Sequence, residues 1–99
     1  MNEYHLSERA DAELLAIFVQ SLFTFGAVQA RRYRESLTNC FELLGENPNM
    51  GRPAPNLGQS VRRHEHESHI ILYRPAADGV LILALVPARS MRLLRLTDE

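Results

Sequence analysis

The second half of the chain contains the pattern that most limits how it can fold. Two apolar runs, HIILYR (His69–Arg74) and VLILALV (Val80–Val86), flank the dipeptide Asp78-Gly79. This dipeptide is a strong hairpin signal between apolar runs, because Asp and Gly tolerate the backbone angles of a tight turn. The pattern therefore predicts a pair of adjacent antiparallel strands, with most of their side chains inside the protein.

The first half carries helical periodicity instead. Ser7 is placed to cap a first helix, and the apolar residues after it recur at helical spacing. These residues are Ala10, Leu14, Ile17, Phe18 and Leu22. A break at Thr24–Gly26 separates this helix from a second one, predicted from Ala27 to about Leu44, with Gly45 at its C-terminal cap.

The remaining segments complete an α+β fold. A short strand, Tyr4–Ser7, precedes the helices, and a Pro/Gly-rich loop, Asn47–Gln59, follows them. A strand from Val61 to about Glu65 then leads through a turn at His66–Ser68 into the apolar hairpin. The order β-α-α-β-β-β predicts a helical hairpin packed on one face of an antiparallel sheet. Ninety-nine residues suit one such unit, so we expect a single domain over residues 1–99.

Composition excludes several classes of protein. An apolar fraction of 45% argues against disorder, and the longest apolar runs are too short to cross a membrane. The N-terminal residues are acidic rather than a basic and then apolar leader, and Cys40 is the only cysteine, so we expect a cytoplasmic protein without a disulfide. A net charge of −1 argues against broad nucleic-acid binding.

The stretch SVRRHEHESH (Ser60–His69) has the residue types of an active site. For RNA cleavage, Arg62 and Arg63 could stabilise a phosphate transition state, while His64 or His66 could transfer a proton. The two histidines could also chelate an ion, but the predicted turn at His66 breaks their alignment and no further Cys or His lies at ligand spacing. We therefore expect neither a metal nor a cofactor. A solvated hairpin tip explains the same residues without chemistry.

The chain resembles the RelE/ParE toxins of type II toxin–antitoxin systems, and among them the ParE branch. The resemblance covers nearly the whole chain. It rests on YHLSERADAELLAI, on Gln29-Ala30 followed by Tyr33, on NPNMGRPAPNL (Asn47–Leu57) and on VRR…SHIILYR. Members have the β-α-α-β-β-β fold predicted above. The resemblance implies a toxin held in a hetero-oligomer by a cognate antitoxin. For the ParE branch it implies poisoning of DNA gyrase by protein–protein contact, and for the RelE branch ribosome-dependent cleavage of messenger RNA.

The end of the last strand favours the ParE branch. Nuclease members take an acid/base or stacking residue from this region, which here reads LVPARSM. Pro87 stands where family members commonly have His, and the nearby polar residues are Arg89 and Ser90. We therefore predict a binding poison without catalytic residues, without sequence-specific nucleic-acid contacts and without a membrane partner. The alternatives are a messenger-RNA nuclease that uses the Arg/His stretch, and a relative that has lost activity.

Three groups of residues follow from this hypothesis. We expect a basic gyrase-binding surface made of Arg62, Arg63, Arg89, Arg92 and Arg95. We expect the antitoxin to cover apolar side chains around the helix junction, namely Phe18, Leu22, Phe23 and Phe25. Two residues are expected to be structural: His69 as a half-buried, hydrogen-bonded imidazole in the hairpin, and Tyr73 with its ring in the core and its hydroxyl at the edge.

Overall fold

The computed structural model describes residues 3–89, which form two helices and five strands. In chain order these are β1 (Glu3–Leu6), α1 (Glu8–Phe25), α2 (Ala27–Glu46), β2 (Arg52–Pro53), β3 (Arg62–His66), β4 (His69–Ala76) and β5 (Gly79–Pro87). The predicted α+β class and the helical hairpin are confirmed. The segment Asn47–Gln59, predicted as a loop, is not wholly irregular. It contains the two-residue strand β2 and a 3₁₀ turn at Pro55–Leu57.

Ser7 fixes the start of α1 and also attaches it to the sheet. Its Oγ accepts a hydrogen bond from the backbone N–H of Ala10 at 3.0 Å and donates one to the carbonyl of Leu83 in β5 at 2.9 Å. Glu8 and Asp11 lie in the first turn, where the helix dipole favours negative charge. The same side chain therefore satisfies an unpaired helix amide and joins two layers of the fold.

The ends of α1 and α2 differ from the prediction, whereas α2 begins at Ala27 as predicted. The break between the helices is one residue, Gly26, whose φ of +89° is accessible to glycine at little cost. Gly45 does not cap α2. It lies buried inside the last turn, and Asn47 follows as the cap. A Cβ on Gly45 would lie 2.9 Å from the carbonyl oxygen of Glu3, so this position lets α2 approach β1 closely.

The sheet is mixed rather than wholly antiparallel. Its strand order is β1-β5-β4-β3-β2, with antiparallel neighbours throughout except for β1, which runs parallel to β5. The prediction missed the parallel pair because it followed only neighbours along the chain. The helical hairpin returns the chain to the far side of the sheet, which leaves β1 free to pair with the last strand.

A β-bulge in β5 changes which of its side chains face the main core. Leu72 pairs with Ala84 and Tyr73 with Ile82, which leaves Leu83 as the extra residue. The main core lies between the sheet and the helices, and its largest buried side chains are Tyr73, Phe41, Leu37, Leu44, Ile71, Ile82 and Val80. A smaller cluster, Ile70, Ala84 and Val86, lies on the other face with Leu57 and Leu72 packed against it. Within residues 3–89, neither helix has the length and apolar character needed to span a bilayer.

Candidate functional site

A groove of about 590 Å³ separates the helical hairpin from the tip of the β3–β4 hairpin. Ile17, Phe25 and Pro87 supply apolar surface, and amide, hydroxyl, imidazole and guanidinium groups line the rest. Its polar residues include Gln20, Gln29, Tyr33, His69 and Arg89. A largely apolar groove with a polar border suits a peptide segment or a protein side chain.

Two histidines attach the tip of the β3–β4 hairpin to α2. The hydroxyl of Tyr33 lies 2.7 Å from His69 Nδ1 and 3.3 Å from the carbonyl oxygen of His66. A His69 tautomer protonated at Nδ1 satisfies both contacts, since Nδ1–H donates to the hydroxyl and the hydroxyl donates to the carbonyl. Beside them, His66 Nε2 lies 2.6 Å from the hydroxyl oxygen of Ser36. The imidazoles of both residues therefore hold α2 against the hairpin.

Burial shifts the pKa values of two groups in this cluster. It lowers the pKa of the His69 imidazole, with a further contribution from the nearby His66, and it raises the pKa of the Tyr33 hydroxyl. Burial also lowers the pKa of His64. The contact between His69 and Tyr33 is therefore a hydrogen bond between neutral groups near neutral pH.

The predicted nuclease residues are divided between the two faces of β3. Arg62 and His64 face the helices, because their partners Tyr73 and Ile71 belong to the main core. Arg63 faces the opposite side of the sheet, as alternation along a strand requires. The guanidinium of Arg62 donates to the carbonyl of Gly51, and His66 contacts Ser36, so both groups are engaged in structural contacts.

One step in the sequence reasoning about these histidines was wrong. β3 continues through His66, so His64 and His66 do share a face and the turn does not break their alignment. The turn itself is Glu67-Ser68, with Glu67 in the left-handed region at φ +51°. The two imidazoles border a second groove together with Arg32, Ser36 and Cys40.

The predicted basic surface is divided. Arg63 lies at the start of β3, whereas Arg89 follows β5, at the end of the sheet where His66, His69 and Pro87 meet. The four residue steps from Arg62 to His66 place these two ends about 13 Å apart along the strands. Arg92 and Arg95 lie outside the described residues. Among the predicted arginines that the structure describes, Arg89 therefore lies apart from Arg62 and Arg63.

The predicted apolar residues form part of a larger exposed surface. Phe23 is 89% exposed and Phe25 68%, whereas Phe18 is half-buried beneath the guanidinium of Arg34, 5.6 Å from its ring centre. Four of the exposed apolar residues on α1 share one side of the helix, and we call them the α1 stripe: Leu15, Val19, Leu22 and Phe23. Leu15 and Val19 were not predicted, although their helical spacing with Phe23 was visible in the sequence.

The arrangement of two helices on a five-stranded sheet is also found in a chain of known structure. A solved structure described as the chromosomal ParDE TA system from P. aeruginosa contains a chain of the same fold, with a TM-score of 0.75. The match covers 88% of this chain and 96% of that chain, at 21% sequence identity, which supports the fold alone.

Sequence comparison defines the family. The model of the ParE toxin of the type II toxin-antitoxin system, parDE, matches residues 4–92. Toxin ParE1 of Caulobacter vibrioides is 39% identical over 92 residues, which cover 93% of this chain and 96% of that protein. Toxin ParE1 of Mycobacterium tuberculosis strain H37Rv is 28% identical over 90 residues, covering 91% and 92%. The chain belongs to the ParE toxin family of type II toxin–antitoxin systems, as the resemblance predicted.

Proposed function

We propose that this ParE-type toxin acts in the cytoplasm by binding DNA gyrase, and that a cognate antitoxin neutralises it. The family match over residues 4–92 carries the proposal, because it extends over both the helical hairpin and the sheet. The mode of action in this proposal is protein–protein contact without bond cleavage.

The arrangement of the candidate catalytic groups supports binding rather than RNA cleavage. General acid–base cleavage needs a proton acceptor, a proton donor and a cation directed at one phosphate. Here Arg63 lies on the opposite face from His64, and Arg62 and His66 are held by loop and helix groups. Pro87, which has no titratable group, pairs with His69 at the position where the family resemblance leads us to expect His.

Arg63 and Arg89 are the described arginines best placed to meet gyrase. Within residues 3–89 neither forms an ion pair, whereas Arg62 is hydrogen-bonded to Gly51. A guanidinium that is not already paired can form forked contacts with a partner's carboxylates. Arg89 also borders the large groove, where a partner side chain would meet both charge and apolar surface.

A supercoiling assay with purified gyrase tests the target. We expect the chain to inhibit supercoiling, and Arg63→Glu or Arg89→Glu to weaken inhibition at least tenfold. Arg31→Glu, an exposed change on α2, is the control for altered charge and should retain wild-type potency. Unaltered supercoiling at excess protein contradicts the proposal. Cleavage of a reporter message in a reconstituted translation system, lost on His64→Gln or His66→Gln, would support the nuclease alternative.

The α1 stripe is the proposed contact for the antitoxin. Exposed apolar side chains in a contiguous row indicate an interaction surface, and large aromatic residues dominate binding energy when a partner covers them. We expect Phe23→Asp to weaken binding of the antitoxin encoded beside this gene at least tenfold in titration calorimetry. Leu43→Asp is a matched control, because Leu43 is 50% exposed on α2, away from the stripe. Equal losses for the two variants would exclude the stripe as the specific contact.

A further inference from the structure

Three metal-ligating side chains meet at one corner of the sheet, away from the proposed partner surfaces. Glu3 and His5 belong to β1, and Asp78 lies in the turn between β4 and β5. Their potential ligand atoms all lie within 4.8 Å of one another, and His5 Nε2 is 2.9 Å from Asp78 Oδ2. Nothing in the toxin's proposed action uses these residues.

The backbone holds the three residues together. Glu3 and His5 are two positions apart on a strand and so project from one face, while Tyr4 between them packs against Phe41 with ring centres 5.4 Å apart. The N–H of Glu3 donates to the carbonyl of Asp78 at 2.6 Å. The ligands are therefore placed by the parallel β1–β5 pairing rather than by flexible side chains alone.

Gly79 makes this close approach possible. It pairs with Glu3 in the parallel register and has a φ of +149°. A Cβ at this position would lie 1.7 Å from the carbonyl oxygen of Glu3, so only glycine lets the turn lie directly against β1.

The set of donor atoms selects a class of ion. One imidazole nitrogen and two carboxylate oxygens suit Zn²⁺ and similar divalent transition ions, whereas Mg²⁺ and Ca²⁺ prefer oxygen ligands only. Three protein ligands leave a fourth position for water, and all three side chains are exposed, so an ion can enter from solvent. We propose that Glu3, His5 and Asp78 bind one Zn²⁺ ion that joins β1 to the β4–β5 turn.

Binding at this corner would stabilise the folded chain. The three ligands come together only when β1 lies beside β5, so an ion that binds them favours the folded state by mass action. The ion would act at the N-terminal strand, which is joined to the rest of the sheet along one edge only.

Titration calorimetry with ZnCl₂ on the full chain, carrying no polyhistidine tag, tests the site. We expect one ion per chain, at least tenfold weaker binding for His5→Gln and for Asp78→Asn, and no saturable binding of MgCl₂. His64→Gln is the matched control, because His64 belongs to the other pair of histidines that could chelate an ion, His64 and His66. This variant should bind Zn²⁺ as the wild type does.

A second measurement separates loss of ligands from loss of fold. Thermal unfolding should show that Zn²⁺ raises the Tm of the wild type and of His64→Gln but not of His5→Gln, while the metal-free Tm of all three stays similar. Absence of saturable Zn²⁺ binding, binding unaffected by His5→Gln, or binding abolished by His64→Gln would each overturn the proposal.

Discussion

Replacing Tyr73 by Phe removes one buried oxygen and leaves the ring in place. The side chain is fully buried, and its hydroxyl accepts a hydrogen bond from the Gly51 N–H and donates one to the Pro48 carbonyl, each at 2.8 Å. A buried donor left without a partner costs about 1–3 kcal/mol, and loss of the second bond adds about 1 kcal/mol. We therefore expect Tyr73→Phe to lower the free energy of unfolding by about 3 kcal/mol, and the Tm by at least about 10 °C.

Urea unfolding followed by circular dichroism measures this change as a lower midpoint at constant m-value. Hydrogen exchange adds a local test, because the amide of Gly51 loses its acceptor and should exchange faster. Tyr4→Phe is the control. Within residues 3–89 the Tyr4 hydroxyl has no described hydrogen bond, so its removal should change stability by less than about 0.5 kcal/mol. A Tyr73→Phe protein within that range, with Gly51 still protected, would refute the role assigned to the hydroxyl.

Three other changes test the fold and its pH dependence. Burial lowers the pKa of the His69 imidazole from its usual 6.5, so just below pH 6.5 the unfolded state binds more protons than the folded state. The free energy of unfolding should therefore fall as the pH drops through this range. His69→Asn should reduce the accompanying fall in the urea midpoint. Ser7→Ala removes the α1 cap and a hydrogen bond to β5, so it should lower the free energy of unfolding by about 1–2 kcal/mol. An unchanged midpoint in urea unfolding would contradict this. Gly79→Ala should lower the free energy of unfolding by more than about 3 kcal/mol, because the new Cβ collides with Glu3. In Gly26→Ala the new Cβ meets no atom within 4 Å, so this change should cost only about 1–2 kcal/mol in backbone strain. Similar thermal shifts for the two glycine variants would be inconsistent with the collision.

Local signals in the sequence predicted both helices and the longer strands. Ser7 before an apolar helical period placed α1, and Asp78-Gly79 between apolar runs placed the β4–β5 hairpin. Pairing between distant segments was not predictable in the same way, because no local pattern specifies that β1 runs parallel to β5. The strand β2 was missed because two residues are too few to show periodicity.

The candidate sites likewise combine features that local sequence predicts with features that depend on contacts between distant segments. The exposed positions of the α1 stripe follow from helical spacing, but the contact between Tyr33 and His69 joins two elements far apart in the chain. The expectation that no metal binds rested on the pair His64 and His66 and on the spacing of Cys and His residues along the chain. The cluster of Glu3, His5 and Asp78 exists only once β1 lies beside the turn between β4 and β5.

The parallel pairing of β1 with β5 also affects how the protein can form during synthesis. β1 is made before the other strands, yet its partner strand ends at Pro87, so the sheet cannot close until the residues up to Pro87 have left the ribosome. Until then the apolar run that becomes β4 is exposed without its full set of neighbours, and such unpaired strands are prone to intermolecular association. Contacts this distant in sequence also slow folding. A nascent toxin therefore passes through an interval in which it is translated but not yet folded, and a partner already present in the cell could meet it before it matures.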